Sequence, residues 1–141
     1  MMISARNQID TTIERLERGA VNTLLHLKTS NGMAMTASVT NPSTDTMRLA
    51  PGDRVIAFFK ASHVLIATGW AIPISARNCL EGRIVSLING AVNCEVSVAL
   101  EGGDRITAII THEAARNLAL QEGDAVAAII KASDLMIAKH L

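Results

Sequence analysis

Short apolar segments rich in Val, Ile and Thr alternate with turn signals along most of this chain. Apolar and polar positions that alternate with a period of two, between Gly-, Asn- or Asp-containing turns, are typical of β-strands. This pattern predicts strands at residues 21–27, 35–40, 54–60, 92–100, 106–111 and 125–131. Short strands at this spacing indicate a small barrel or sandwich.

The chain also repeats itself at a fixed offset of 71 residues. Pairing residues 3–67 with residues 74–138 needs no gap and gives 25 identities in 65 positions. The identities cluster in three polar or backbone-exposing words, whereas core positions exchange one apolar residue for another. The words are Ser-Ala-Arg-Asn at 4–7 and 75–78, Gly-Ala-Val-Asn at 19–22 and 90–93, and Lys-Ala-Ser at 60–62 and 131–133. A duplicated fold needs only the apolar pattern, so duplicated polar words suggest a duplicated site.

The repeat predicts two domains, at residues 1–67 and 74–141, joined by a linker at residues 68–73. Units of about 70 residues lie near the lower size limit for an independent core, so we expect them to pack together or to oligomerise. Each domain is expected to contain about five strands and one short helix. The predicted fold class is therefore all-β, with two tandem OB-like β-barrel domains.

One helix is expected after the third strand of each repeat. In the second repeat it opens at Thr111, which fits an N-cap, and good helix formers follow at residues 113–118. The first repeat has Asn-Pro-Ser-Thr-Asp-Thr at residues 41–46, a much poorer helix sequence. We therefore expect only a single helical turn there.

The net charge does not favour binding of a polyanion such as DNA, because the chain has 13 basic and 13 acidic residues. OB-like proteins that bind nucleic acid stack bases on aromatic side chains along a basic groove. This chain has only Phe58, Phe59 and Trp70, so nucleic acid is not an expected partner. Its hydrophobic fraction of 49% exceeds what one small barrel can hide, and we interpret the excess as interface.

The cysteines and histidines do not recur between the repeats, and the only acidic residues that do are the turn pair Asp53 and Asp124 and the similar pair Asp10 and Glu81. Cys79 and Cys94 align with Gln8 and Thr23 of the first repeat, so the cysteines are not duplicated. We therefore interpret both as small packed residues rather than as a disulfide or metal site. A phosphate-binding GxxxxGK[ST] loop does not occur. We expect no enzymatic activity, no cofactor and no direct protein–metal ligands. The four histidines occupy unrelated positions: His26, His63, His112 and His140.

The sequence favours a cytoplasmic location. No basic segment followed by an apolar stretch opens the chain, as a signal peptide would require. The longest apolar region, residues 55–74, is interrupted by Lys60 and His63 and contains Gly69 and Pro73, so no membrane span is expected. Only three residues precede Ser4, so we expect no ATPase or helix-turn-helix module in the same chain.

What does recur in the three words is a set of hydrogen-bond donors. Donors without acceptors suit a small, fully deprotonated anion. Mainly neutral donors with one lysine can hold a dianion without a large basic patch, in agreement with the zero net charge. The donors are the hydroxyls of Ser4, Ser62, Ser75 and Ser133, the ammonium groups of Lys60 and Lys131, and the backbone N–H groups of Gly19, Ala20, Gly90 and Ala91.

Each word also has a purely structural interpretation. Ser-Ala-Arg-Asn fits a solubilising segment at the start of an edge strand. Gly-Ala-Val-Asn fits a hairpin turn in which glycine supplies a positive φ. Lys-Ala-Ser fits a solvated end to an apolar strand. The evidence for a site is the joint recurrence of all three words at one offset.

With these three words at this spacing, the chain resembles the molybdate-binding Mop domains, which are TOBE-like. Two such domains in one chain resemble the molbindins, small cytoplasmic proteins that bind and buffer molybdate. The resemblance implies OB-like barrels, a homotrimeric ring, and oxyanions bound at subunit interfaces. It implies ligand contacts at Ser4, Arg6, Gly19, Ala20, Val21, Asn22, Lys60, Ala61 and Ser62, and at Ser75, Arg77, Gly90, Ala91, Val92, Asn93, Lys131, Ala132 and Ser133.

The implied function is intracellular binding of molybdate or tungstate, in molybdenum storage, buffering or homeostasis. The alternative is a regulatory module of the same fold that senses molybdate for a partner protein in trans. The first repeat departs from the family pattern more than the second. Thr11 stands where the family has glycine, as at Gly82, and residues 23–25 lack the Glu-Val that the second repeat keeps at residues 95–96.

Overall fold

The computed structural model describes residues 2–69 and 74–140, and these residues form mostly β-strands. The first repeat contributes β1 (Asn7–Arg18), β2 (Asn22–Thr29), β3 (Ala34–Thr40), α1 (Asn41–Thr46), β4 (Arg54–Phe59), a 3-10 turn (Ala61–His63) and β5 (Leu65–Ala67). The second repeat contributes β6 (Asn78–Asn89), β7 (Asn93–Leu100), β8 (Arg105–Thr111), α2 (His112–Asn117), β9 (Ala125–Ile130), a 3-10 turn (Ala132–Asp134) and β10 (Met136–Lys139). The all-β, OB-like prediction is confirmed, and each of the six predicted strands is present.

The chain forms two compact units, and each contains one five-stranded antiparallel sheet. The first unit comprises the described residues up to Phe59 together with those from Lys131 onward. Its strand order is β10-β4-β1-β2-β3. The second unit comprises the described residues between Lys60 and Ile130, in the order β5-β9-β6-β7-β8.

In each sheet, the short outer strand beside β4 or β9 comes from the other sequence repeat. In the first unit, Met136 of β10 pairs with Phe58 of β4. In the second unit, Leu65 of β5 pairs with Ile129 of β9. The compact units therefore do not follow the repeat borders, and the domains at residues 1–67 and 74–141 remain a prediction about the repeats. Part of the predicted linker, residues 70–73, lies outside the described residues.

Alternating apolar positions form the core of each unit. Along β1, odd-numbered residues from Asn7 to Ile13 are buried and the residues between them are exposed. Phe59 in the first unit and Ile130 in the second are completely buried. Burying such a side chain contributes roughly 1.5–3 kcal/mol. The period of two in the sequence thus sets which face of each sheet becomes core.

Both long strands are irregular at the same place. The pairing register shifts between Ile13 and Arg15 in β1 and between Ile84 and Ser86 in β6. An extra residue in one strand of a pair bends that strand and increases its twist. The bulge is therefore a feature of the duplicated fold, even though the residues at it differ.

The two helices have equal lengths of six residues, so the single turn expected over residues 41–46 is wrong. Thr40 and Thr111 both act as N-caps, and the Thr111 prediction is confirmed. The Thr40 hydroxyl oxygen accepts the Ser43 N–H at 3.2 Å, which satisfies one unpaired donor of the first turn. Pro42 lies in that same turn, where a missing N–H costs no helical hydrogen bond.

The cysteines differ from the prediction in one respect. Both are free thiols, and Cys94 is fully buried, as expected of a small packed residue. Burial raises the pKa of the Cys94 thiol. Cys79 is exposed, so the prediction that it is packed is wrong. It lies on the outward-facing side of β6, directly after the buried Asn78.

Candidate anion-binding site

The Gly-Ala-Val-Asn word forms the hairpin turn between the two long strands of each repeat, β1 and β2 or β6 and β7. The Gly19 N–H donates to the Asn22 carbonyl at 2.8 Å, and the Gly90 N–H donates to the Asn93 carbonyl at 2.7 Å. A Cβ on Gly19 would lie 2.9 Å from the Asn22 carbonyl oxygen, so only glycine fits without moving the backbone. Both glycine amides are therefore used to close the turn, which leaves the N–H groups of Ala20 and Ala91 as the predicted turn donors.

The remaining backbone of the first turn is held by Asn41. Its side-chain amide donates to the Gly19 carbonyl at 2.9 Å, and its backbone N–H donates to the Val21 carbonyl at 3.0 Å. The Thr23 hydroxyl in turn donates to Asn41 Oδ1 at 2.7 Å. All three groups are thus satisfied, and Thr23 and Asn41 are buried beneath an exposed turn.

The second turn retains only part of this arrangement. The His112 N–H donates to the Val92 carbonyl at 2.8 Å, as Asn41 does to Val21. Cys94 and His112 replace the buried threonine and asparagine, and a cysteine with a histidine cannot reproduce the amide bridge. Within residues 74–140, no donor to the Gly90 carbonyl is found.

Sequence reasoning missed Thr23 and Asn41 because neither residue recurs in the second repeat. The signal that was available in the sequence is the position of these residues beside recognisable features. Asn41 directly follows the N-cap Thr40, and Thr23 directly follows Asn22, which is present in both repeats. Polar residues there, beside an apolar strand, need hydrogen-bond partners once they are buried. Only the structure shows that the partner is the turn itself.

The Ser-Ala-Arg-Asn word directly precedes and enters the first strand of each repeat, β1 or β6. Ser4 and Arg6 are exposed, whereas Asn7 is buried. Gln8 Nε2 donates to the carbonyls of residues 3 and 5, at 2.9 and 3.0 Å, which fixes the backbone on both sides of Ser4. In the second repeat Cys79 occupies the position of Gln8 and offers no such amide.

The second copy of this word has the same pattern of exposure. Ser75 and Arg77 are exposed, and Asn78 is buried. The buried asparagines pair across the sheet with the end of the neighbouring strand, Asn7 with Phe59 and Asn78 with Ile130. Each word is therefore anchored by its last residue and presents its serine and arginine on the surface.

The Lys-Ala-Ser word makes a 3-10 turn that buries its alanine and exposes its lysine and serine. The His63 N–H donates to the Lys60 carbonyl at 3.0 Å, which closes the turn. Ala61 is 4% exposed, and Ala132, in the second copy, is 8% exposed. Lys60, Ser62, Lys131 and Ser133 are all exposed.

Each compact unit contains one copy of every word, but not all from one repeat. The 3-10 turn at Ala132–Asp134 lies against β3, which also pairs with the strand that leaves the Gly19 turn. The turn at Ala61–His63 lies against β8 in the same way. The first unit thus combines Ser4, Arg6 and the first hairpin turn with Lys131 and Ser133, and the second unit contains the other set.

A cleft lies beside the hairpin turn in each unit. The first has a volume of about 380 Å³ between the end of β1 and α1, and the second has a volume of about 220 Å³. The Arg18 guanidinium spans the first cleft and donates to both oxygens of Asp45, at 2.7 and 3.0 Å. This hydrogen-bonded pair lowers the pKa of Asp45 and raises that of Arg18. Neither cleft is lined by a residue of the three words, so the donors of these words lie outside both clefts.

Residues 2–69 and 74–140 contain no group of three or more His, Cys, Asp or Glu side chains that could hold a metal ion. In the same part of the chain, neither helix is long and apolar enough to cross a membrane.

The comparisons with known proteins agree with one another. Residues 3–66 and 74–137 each match the TOBE domain family. The chain is 40% identical over 139 residues to the molybdenum-pterin-binding protein MopA of Rhodobacter capsulatus, a match that covers 98% of this chain and 52% of MopA. It is 32% identical over 140 residues to the molybdenum transport protein ModE of Azotobacter vinelandii, covering 99% of this chain and 52% of ModE.

A solved structure matches over nearly the whole chain. It is that of the cytoplasmic molybdate-binding protein ModG with molybdate bound. The two structures share 40% sequence identity and superpose with a TM-score of 0.94, covering 98% of this chain and 99% of ModG. The chain therefore spans about half the length of the curated relatives MopA and ModE, and almost all of the ModG chain.

Proposed function

The chain belongs to the TOBE domain family, with two copies of the domain in tandem, and from this premise we propose that it binds molybdate without catalysing a reaction. The observation that carries the proposal is its likeness to ModG, described as binding molybdate, over almost the full length of both chains. Tungstate, which has nearly the same size and charge, is the second ligand. The proposed role is storage, buffering or homeostasis of molybdenum in the cytoplasm.

The proposed ligand contacts are the three repeated words in both repeats, at the eighteen positions named in the sequence analysis. Their serine hydroxyls, lysine ammonium groups and exposed turn amides supply donors and no acidic side chain. Ala20 carries the donor in the first turn, because the Gly19 amide is already engaged. Gly19 itself contributes the space that lets the turn close.

We further propose a homotrimer with the anions at subunit interfaces. The serine, lysine and turn residues of all three words are exposed in the single chain, and they lie outside the clefts beside α1 and α2. An anion held only by such a surface would stay largely hydrated, so donors from a second subunit are needed to replace its water. Val21 and Val92, 71% and 73% exposed within these words, are apolar surface that such an interface would cover.

The proposed site selects for size and for full deprotonation. Phosphate is partly protonated at neutral pH, so its own O–H would face protein donors. Sulfate has the same charge as molybdate but is smaller, and donors placed for molybdate would lie too far from it for good hydrogen bonds. Nucleic acid has no part in this function, in line with the zero net charge.

Titration calorimetry with molybdate, tungstate and sulfate tests the proposal. Molybdate and tungstate are expected to bind, and sulfate to bind much more weakly. Equal binding of sulfate and molybdate would contradict it. Lys60→Gln and Lys131→Gln, made singly, are each expected to lower affinity about tenfold at their own class of sites, as loss of a charge-assisted hydrogen bond predicts.

A regulatory module is the second candidate function, favoured by 32% identity over 139 residues to a protein of Yersinia pestis described as the transcriptional regulator ModE. Such a module would sense molybdate for a partner protein in trans. Affinity capture from lysate with and without molybdate separates the two functions. A partner that is retained only in one ligand state supports the regulatory function, whereas a pure storage protein captures no such partner.

A further inference from the structure

The two hairpin turns have nearly the same sequence but different support. In the first turn, one side chain, Asn41, donates to the Gly19 carbonyl. In the second, His112 stands in its place and its backbone N–H donates to the Val92 carbonyl at 2.8 Å. This difference affects the same peptide unit that contains the proposed donor, the N–H of Ala20.

The peptide unit between Gly19 and Ala20 is planar and trans, so its carbonyl and its N–H point in opposite directions. Asn41 is buried and holds the carbonyl from the protein side. The Ala20 N–H must therefore face away from Asn41, toward solvent, and among the described residues no backbone acceptor for it is found. Holding one end of the peptide unit aims the other end outward.

Asn41 is itself fixed in position. The Thr23 hydroxyl donates to Asn41 Oδ1 at 2.7 Å, which assigns the other side-chain atom as the donor toward Gly19. The Asn41 backbone N–H, bonded to the Val21 carbonyl at 3.0 Å, fixes the other end of the turn. A rotation of the Gly19–Ala20 peptide would break the amide bond and leave a buried Asn41 donor unsatisfied, which is costly.

We propose that Asn41 is a positioning residue for anion binding. It fixes the Ala20 N–H in the orientation that receives the anion, so the first turn binds molybdate more tightly than the second. This inference rests on the proposed function. In the second turn, no side chain among residues 2–69 and 74–140 is found to donate to the Gly90 carbonyl, so part of the binding free energy is used to order the Gly90–Ala91 peptide. The two classes of site are consequently unequal.

Exchanging the supports between the repeats tests the inference. Thr23→Cys with Asn41→His gives the first turn the residues of the second, and Cys94→Thr with His112→Asn does the reverse. Calorimetry with molybdate counts and ranks the sites. The first exchange is expected to weaken the tighter class about five- to tenfold, and the second exchange to strengthen the weaker class.

A ligand-free measurement separates positioning from simple stabilisation. In the Asn41→Ala variant, hydrogen exchange at residues 19–22 is expected to accelerate. In the double variant Cys94→Thr, His112→Asn, hydrogen exchange at residues 90–93 is expected to slow. If exchange changes while molybdate affinity does not, Asn41 only stabilises the turn and the inference is wrong. Unchanged affinities in both exchange variants would also overturn it.

The inference and the proposed function fail in different ways. If the unmodified protein does not bind molybdate, both are overturned. If it binds molybdate with one class of equal sites, only the inference is overturned. Because the reciprocal variant adds its hydrogen bonds to the second unit, it remains informative even if a first-unit variant does not fold.

Discussion

The two units solve the same packing problem with different side chains. Among the described residues, most buried polar side chains lie in the first unit, including Thr11, Thr23, Asn41 and Thr44. The second unit has one buried polar residue among those described, Asn78. The positions equivalent to those four hold Gly82, Cys94, His112 and Ala115. The first unit thus depends on directional hydrogen bonds where the second depends on close packing.

This difference shows that repeated words can persist while the scaffold under them changes. The hairpin turn closes with nearly the same N–H to carbonyl distance in both units, 2.8 and 2.7 Å. What differs is how firmly the turn is held. A hydrogen bond contributes only about 1 kcal/mol net, but it fixes direction, which apolar packing does not.

The largest expected effect concerns Gly82 and its counterpart Thr11. A Cβ on Gly82 would lie 2.4 Å from the Ala99 carbonyl oxygen, so Gly82→Thr must displace the neighbouring strand. We expect it to lower the free energy of unfolding by about 3 kcal/mol. Chemical denaturation of the purified variant measures this.

The reciprocal change provides the control. Thr11→Gly removes a hydroxyl that donates to the Val55 carbonyl at 3.2 Å, but creates no clash. We expect it to cost about 1–2 kcal/mol, through the lost hydrogen bond and the greater freedom of the unfolded chain. Equal costs for the two changes would mean that the units tolerate both residues alike, against the comparison drawn above.

Lys139 is expected to have the next largest effect. Its ammonium group donates to the carbonyls of Met47 and Arg48, at 3.0 and 2.8 Å, and lies 3.1 Å from the Asp53 carboxylate. These contacts tie β10 to the end of α1, and the equivalent position in the second unit holds Thr68. Lys139→Met should lower the thermal midpoint by a few degrees, whereas Thr68→Met should leave it unchanged.

The contribution of Lys139 to the thermal midpoint should also depend on pH. The Ala50 N–H, and secondly the Lys139 ammonium, hold the pKa of Asp53 below its ordinary value of 3.8. A carboxyl with a lowered pKa stabilises the fold above that ordinary value, and the stabilisation is lost as pH falls through the lowered pKa. The difference in midpoint between the unmodified protein and Lys139→Met should therefore shrink below about pH 4. A difference that grows in acid would contradict this assignment.

A smaller effect of opposite sign is expected where the two units agree. Arg48 and Ala119 follow the two helices with φ values of 51° and 49°, in the left-handed region that glycine adopts without strain. Arg48→Gly and Ala119→Gly should each raise the free energy of unfolding by about 0.5–1 kcal/mol. A gain in only one unit would show that the helix ends are not equivalent.

The smallest effect is expected at the Arg18–Asp45 ion pair of the first unit. Both side chains are more than half exposed, at 52% and 62%, so solvent screens the pair. Asp45→Asn should leave the thermal midpoint within about one degree of the unmodified protein. A larger loss would indicate that this ion pair, which the second unit lacks, supports α1.

The sequence predicted the strands well because burial on one face of a sheet imposes a period of two, visible at residues 22–29 and 93–100. It predicted the Thr111 cap for the same kind of local reason. It underestimated α1, because Thr40 and Ser43 supply local capping that weak helix propensity does not reveal. Single local signals could therefore be predicted from the sequence, but the balance between capping and helix propensity at α1 could not.

The exchange of outer strands could not be predicted. Residues 66–67 and 137–138 are the same Ile-Ala pair, and the Lys-Ala-Ser words before them are identical. Either strand therefore offers β4 or β9 nearly the same partner, and pairing with the other repeat leaves no trace in the apolar pattern. The support of the first turn was equally hidden, because Asn41 acts through a long-range contact that only folding creates.

The exchanged strands also bear on the order in which the chain can be completed during its synthesis. The second unit is a continuous segment, so its sheet can form once residue 130 has been synthesised. In the first unit, β4 cannot complete its pairing until β10 is present, because Phe58 pairs with Met136, 78 positions later in the chain. Pairings this distant in sequence are slow to form, since a long loop must close first. The sheet that contains β1 to β4 is thus expected to be completed after the sheet that contains β6 to β9, and until then β4 exposes an edge that can pair with another chain.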